Sequence, residues 1–441
     1  MTGGASTGSR PGSGRLPALA AMLALLIGLA AALALTVPWR TLELPVPGGS
    51  VATAPARDFT VAEQAREDTY HAQLRPPAYV SLVGGLAVAA VLGLTPLGAR
   101  LARLAARPLG GGWLWQVVVG GLVLLLLGRL AVLPLDARVE QVRRAYGLST
   151  RDWPSWAGDI AKGFALSAGL TLLILVAVVA LGRMLPRWWW APAAVGGALL
   201  VAVVSFAYPL AVEPVFNRFT PMAEGPLRTS LLALARADGL DVEDVLVADA
   251  SRRTSTLNAY VSGLAGSRRI VVYDTLLRRG SPAEVRLIVA HELGHAKRGD
   301  VPYGTLLGAL GVAAGVCALH LVVTSAPLLR RAGAAGPGDP ATVALLLLAI
   351  SVMGLISTPV QSLVSRRIEA RADVHALDLT REPAGYARLQ RRLAVANLSD
   401  LDPPLPTYLA FATHPTAPER IALARSWAEA HGQPPPADLA P

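Results

Sequence analysis

Along the chain, apolar residues gather into seven long runs, at roughly 16–39, 78–99, 113–135, 163–184, 188–211, 303–325 and 341–364. Each is close to the ~20 helical residues needed to cross the hydrocarbon core of a bilayer. Trp113 and Trp115 open the third run and Trp188, Trp189 and Trp190 the fifth, which predicts amphipathic aromatics at the membrane–water boundary. The first run is longer than the apolar core of a cleavable signal and is read as a retained span.

Two polar stretches are long enough to fold outside the bilayer. One extends from Glu213 to Val301, between the fifth and sixth runs, and the other starts at Ser365. The sixth and seventh runs form a hairpin, so both stretches lie on one side of the membrane. The expected fold class is an all-α membrane bundle of seven transmembrane helices, with a small α+β domain built from the two polar stretches. The expected divisions are a disordered leader over 1–15, helices one to five over 16–212, the first part of the domain over 213–301, helices six and seven over 302–364, its second part over 365–432, and a disordered Pro/Ala-rich tail over 433–441. Arg366, Arg367 and Arg371 directly follow the seventh run and place the domain in the cytoplasm.

Composition sharpens this picture. Only 16% of residues are charged, well below the quarter usual in soluble domains. The net charge of +10 comes largely from arginines at the ends of apolar runs and in the polar stretches. No basic stripe with interleaved aromatics accompanies it, so membrane lipid is the expected partner and nucleic acid is not. The single cysteine, Cys317, lies within an apolar run, which excludes a disulfide framework and a thiolate metal site. No pattern bears on oligomeric state.

The chemistry concentrates in the first polar stretch. Ser281-Pro282-Ala283-Glu284 is a helix start, with Ser281 as cap, Pro282 at the first helical position and Glu284 completing a capping box. The helix then carries His291-Glu292-Leu293-Gly294-His295. At 3.6 residues per turn, His291 and His295 project from one face and can bind one cation, with Glu292 turned about 100° away as a general base. A catalytic zinc also needs a third protein ligand. Glu369 in the second polar stretch is a candidate, with Asp373 one turn further along to orient a ligand histidine. By spacing alone these acids could equally pair with Arg366 or Arg367, and His375 is a rival ligand on a different face. His71, His320 and His431 have no partner at ligand spacing and are read as structural or solvent-exposed.

These residues resemble the type I CAAX prenyl protease family of integral-membrane gluzincin peptidases. The matching segments are His291 to His295, Ser365-Arg366-Arg367 with Glu369 and Ala372-Asp373, and Phe216-Asn217-Arg218-Phe219-Thr220-Pro221. Asn258-Ala259-Tyr260 with Gly263, the run Arg269 to Leu277, and His414-Pro415 with Pro418-Glu419-Arg420-Ile421 match as well. The resemblance covers roughly 60–425. It implies seven helices around an intramembrane chamber, one Zn2+ per chain held by His291, His295 and Glu369 at its cytoplasmic end, and endoproteolysis.

With that resemblance in place, Asn258 would hydrogen-bond substrate backbone beside strands at 244–247 and 269–273. His414 would stabilise the oxyanion. Arg420 would either share that task or brace Asp373. The Ala/Arg/Gly-rich ends look like those of a high-GC bacterium, which makes membrane-associated or unfolded proteins in a bacterial cell membrane the expected substrates. The rival readings are an HtpX-type quality-control protease, a non-catalytic scaffold keeping a zinc fold, and a transporter. Glu292 argues against a scaffold, which needs only ligands. Arg129 and His320 are the clearest ionisable residues within the runs, too few for a transport pathway.

Overall fold

The structure, a computed structural model, describes residues 14–39, 53–263 and 268–440; most of the expected leader lies outside them. Among the described residues, seven helices are long and apolar enough to cross a membrane. Five precede the first polar stretch: α1 (Arg15–Thr36), α2 (Val61–Gly93), α3 (Gly121–Ala145, entered through a π turn over Gln116–Gly120), α4 (Trp153–Met184) and α5 (Trp190–Ala211). Then come α6 (Pro226–Ala237) and α7 (Pro282–Arg298), followed by the hairpin α8 (Asp300–Val323) and α9 (Val343–Thr380). The chain continues through α10 (Pro383–Asn397), α11 (Leu405–Phe411) and α12 (Ala417–Ala430), with shorter helices in between. Leu173, Val195, Leu199, Val203 and Ile356 stay exposed on the spans, as side chains facing lipid rather than water would.

Two helices outrun the apolar patterns that announced them. α2 begins at Val61 with a polar half, capped by Thr60 and Glu63. α9 carries the seventh apolar run and then continues, unbroken, through Glu369 and Asp373. Its 38 residues span about 57 Å at the helical rise of ~1.5 Å per residue, well beyond the ~30 Å hydrocarbon core.

The first polar stretch folds on a four-stranded sheet. β1 (Phe219–Pro221), β2 (Asp244–Ala248), β3 (Ala259–Ser262) and β4 (Arg269–Tyr273) lie in the order β1-β2-β4-β3. β2 and β4, the two strands legible in the sequence, pair in parallel with Val245 opposite Ile270, and β1 and β3 add antiparallel at the edges. β4 is buried over Ile270, Val271 and Val272. It shares one core with Val285, Val289 and Leu293 of α7, Tyr386 of α10 and Trp427 of α12. The edge strand β3 packs beside α7, so the sheet's free edge lies next to the helix bearing His291 and His295.

Two expectations change. Of the three tryptophans that open the fifth run, only Trp188 is exposed; Trp189 and Trp190 are buried against His320, with ring centroids 5.5 and 6.4 Å away. The apolar bodies of these rings serve helix packing instead. The segment 433–440, expected to be a disordered tail, is tied down along its length. Arg425 Nε donates to Pro436 O at 3.0 Å, Arg57 Nε to Asp438 Oδ1 at 2.9 Å, and Leu439 N–H to Arg57 O at 3.0 Å. A proline-rich composition does not disclose acceptors used by distant arginines.

The same arginine forms the most buried ion pair described. Arg425 Nη1 donates to Asp58 Oδ2 at 2.9 Å, with both residues at most 3% exposed. Asp58→Ala would leave Arg425 charged and buried without a counterion, so unfolding in detergent should become easier by about 3–5 kcal/mol. A change below about 1 kcal/mol would show that the pair does not hold α12 to the segment before α2.

Candidate metal centre

The site starts with α7 and the reason it begins where it does. Ser281 Oγ accepts from Glu284 N–H at 3.3 Å, and Glu284 Oε2 accepts from Ser281 N–H at 2.7 Å. This reciprocal pair satisfies two otherwise orphaned helix-start groups. Arg392 of α10 also donates to Glu284, at 2.7 Å. At the other end Gly299, with φ 68, turns the chain sharply into α8. Gly294 matters for another reason: a Cβ there would come within 3.0 Å of His375 Cβ. Its hydrogen lets α7 and α9 approach closely enough for their side chains to share a point.

At that point lie His291, His295 and Glu369, whose ligand atoms all fall within 4.8 Å of one another. The two Nε2 atoms are 3.2 Å apart; Glu369 Oε2 is 3.2 Å from His291 Nε2, and Oε1 is 3.6 Å from His295 Nε2. The outer nitrogens face carboxylates: His291 Nδ1 lies 2.8 Å from Asp373 Oδ1, and His295 Nδ1 2.8 Å from Asp300 Oδ2. An Nδ1–H donated outward leaves each Nε2 lone pair aimed at the other histidine and at Glu369. Glu369 Oε2 is buried and accepts no hydrogen bond, a costly state unless a cation meets it. Two imidazoles and one carboxylate, free of sulfur, fit a catalytic zinc with a fourth position open. The donor set suits a divalent cation.

The surrounding groups hold this arrangement. Asp373 is fully buried, accepts from Tyr386 Oη and Arg420 Nη2, and receives Arg420 Nε at 2.9 Å. Asp300 in turn binds Arg371 of α9, so His291 and His295 each face a carboxylate that an arginine steadies. Arg366, a conceivable partner for the two acids, instead donates to Tyr408 O at 2.7 Å and Ala412 O at 2.6 Å. It thereby anchors the segment leading to His414, whose Nε2 lies 3.4 Å from Glu369 Oε2. His375 is drawn away to Asp238 Oδ2, 2.9 Å distant. Asn258 sits exposed at the start of β3, its Oδ1 accepting the next residue's N–H at 3.0 Å.

Glu292 lies on the same helix, and burial pushes its carboxyl above the ordinary range against the pull of His291 and His295. That direction suits a proton acceptor. Burial presses the His291 pKa down, yet the adjoining Asp373 and Glu369 carboxylates more than reverse it, to about 10. Asp300 and Tyr386 went unread in the sequence, and Arg371 was read there only for the side of the membrane it marks, not as a partner of Asp300. Asp300 left a faint signal, an acid just past the glycine ending the histidine helix; Tyr386 left none.

Residues 221–428 match the model of peptidase family M48, and residues 68–218 match the CAAX prenyl protease N-terminal region of five membrane helices. A Bacillus subtilis (strain 168) protein described as the uncharacterized metalloprotease YhfN is 33% identical over 310 residues, 68% of this chain and 71% of that protein. A CAAX prenyl protease 1 homolog of Oryza sativa subsp. japonica is 32% identical over 60% of this chain and 62% of its own. The crystal structure of S. mikatae Ste24p superposes with a TM-score of 0.74 at 20% identity, covering 92% of this chain and 98% of that one. That superposition bears on the fold alone.

Two measurements probe the centre. In the metal-free chain His291 is protonated below about 10, and a cation must displace that proton. Apparent affinity for a divalent metal should therefore rise with pH, by up to ~10-fold per unit from 6 to 9, when read with a competing chelator. An affinity that does not change with pH would exclude the displacement. Asp300→Ala should weaken metal binding by about 10–100-fold; unchanged binding would show that Asp300 does not orient His295.

Proposed function

The chain belongs to peptidase family M48, and on that premise we propose that His291, His295 and Glu369 hold one Zn2+ while Glu292 acts as general base. The protein is an integral-membrane metalloendopeptidase with multiple spans. The observation supporting the ligand assignment is the pair of Nε2 atoms turned on Glu369, with each Nδ1 engaged by a separate carboxylate.

A bound divalent cation would supply Lewis acidity to the scissile carbonyl and acidify a water at the same place. The chain's own groups do the rest. Glu292, raised in pKa by burial, takes the proton of the attacking water and returns it to the leaving amine. His414, half-open to solvent and 3.4 Å from Glu369, donates to the oxygen that gains charge as the carbonyl becomes tetrahedral. Asp373 and Asp300 keep the imidazoles from turning, and Arg420 braces Asp373 rather than touching substrate. The free edge of β3 beside α7 offers main-chain pairing to an extended peptide, with Asn258 at the entry to that strand.

The substrates are peptide segments of membrane-associated or unfolded proteins. The same helix, α9, carries both the seventh apolar run and Glu369, which supports substrates held at or near the membrane. Arg366, Arg367 and Arg371 at the end of the seventh apolar run support a cytoplasmic centre, and the Bacillus relative fits a bacterial cell membrane.

The test is cleavage of an unstructured peptide and a prenylated peptide by zinc-loaded protein in detergent. Glu292→Gln should abolish turnover of whichever is cut while leaving zinc content unchanged. Equal cleavage by both forms would sink the mechanism, and bound zinc without any cleavage would favour a scaffold. His414→Ala should lower kcat by about 10²–10³-fold with little change in KM; a loss confined to KM would make His414 a substrate-binding group.

A further inference from the structure

A second set of metal-ligating side chains lies away from this centre, where the polar half of α2 meets the loop after α10. Glu67 and His71 stand one turn apart on α2, and Asp400 reaches them from the loop. The three offer ligand atoms within 4.8 Å of one another. In the sequence His71 had no apparent partner at ligand spacing; Glu67, four residues earlier, is that partner, at 3.4 Å from Nε2. His71 Nδ1 is 3.7 Å from Asp400 Oδ2.

We infer that Glu67, His71 and Asp400 bind a second divalent cation, one that pins α2 to the peptidase part of the chain. Glu67 is only 4% exposed, and although the Leu401 N–H faces its carboxylate, Oε1 accepts no hydrogen bond. Asp400 Oδ1 is likewise buried and without a donor, because the nearby cation, Arg75, takes the other oxygen at 2.6 Å. Glu67 Oε1, 3.4 Å from His71 Nε2, and Asp400 Oδ1 are thus two buried carboxylate oxygens without a donor on the acids that flank one imidazole, an arrangement that a cation completes.

A backbone carbonyl offers a fourth ligand atom. Leu398 ends α10 in a left-handed conformation, φ 47 and ψ 52, uncommon for a residue with a bulky side chain. The turn brings its carbonyl to 2.9 Å from His71 Nε2. One imidazole, two carboxylates and a backbone carbonyl form a mixed nitrogen–oxygen set that suits zinc or manganese among divalent ions. The surroundings are apolar: Leu398 packs with Tyr70, Val142 and Leu148, so an ion there would join α2, α3 and the loop after α10.

Metal content of the full-length protein in detergent tests this directly. Chelated protein is dialysed against Zn2+ alone or Mn2+ alone and the bound metal counted by mass spectrometry. Wild type should hold two equivalents, and His291→Ala/His295→Ala should keep one. In that background Glu67→Gln or Asp400→Asn should weaken the remaining equivalent at least ~10-fold and remove the rise in Tm that metal produces. Should the double variant fail to fold, Glu369→Gln replaces it, and Glu67→Gln alone should take wild type from two equivalents to one. A single equivalent in wild type that is indifferent to Glu67→Gln overturns the second site, with His71 then acting as the cation itself. An equivalent lost with Glu67→Gln but retained in the His291/His295 variant upholds it, whatever the catalytic result.

Discussion

An imidazole directs one nitrogen at a cation only if its other nitrogen is tied down, and the two ligand-type histidines of α7 are tied down by different parts of the chain. Asp373 on α9 faces His291, and Asp300 at the start of α8 faces His295. These two helices are the arms of one membrane hairpin. The centre therefore requires the hairpin to deliver both carboxylates to the same side at the same height as α7. Arg371, bound to Asp300, links the arms below the membrane and resists their sliding past each other.

From Asp373 the dependence spreads into the core. A fully buried carboxylate is tolerable only with its charge matched and its lone pairs filled, and Arg420 and Tyr386 do both. Arg420 belongs to α12 and Tyr386 to α10, so α9, α10 and α12 are organised around one acid that would make no contact with substrate. The apolar core beneath, with Val289, Leu293, Tyr386 and Trp427, fixes these helices against the sheet. The free edge of β3 then falls beside α7.

Local signals carried much of this into the sequence. Seven apolar runs announce seven helices because a bilayer demands length and continuity, and the capping box at Ser281 and Glu284 marks the helix start to the residue. The spacing of His291 and His295 is likewise local. What could not be read depends on partners brought from afar. Arg366 beside Glu369 looks like an ion-pair candidate, yet it spends its donors on the carbonyls of Tyr408 and Ala412. Trp189 and Trp190 look interfacial but are buried, the tail after Gln433 looks loose but is held by Arg57 and Arg425, and β1 and β3 are too short to show an alternating pattern. His71 seemed solitary because its second acid, Asp400, lies 329 positions on in the chain.

The unbroken course of α9 makes it a ruler. Val364 closes its apolar run and Glu369 stands five positions on, a drop of about 7.5 Å along a helix. No loop or hinge lies between them to absorb a change, so a bond cleaved at a metal held by Glu369 would be presented at a nearly constant depth below the lipid headgroups. A polypeptide is then measured from the membrane as well as recognised by its side chains. A bilayer of different thickness would shift that depth by tilting the whole rod.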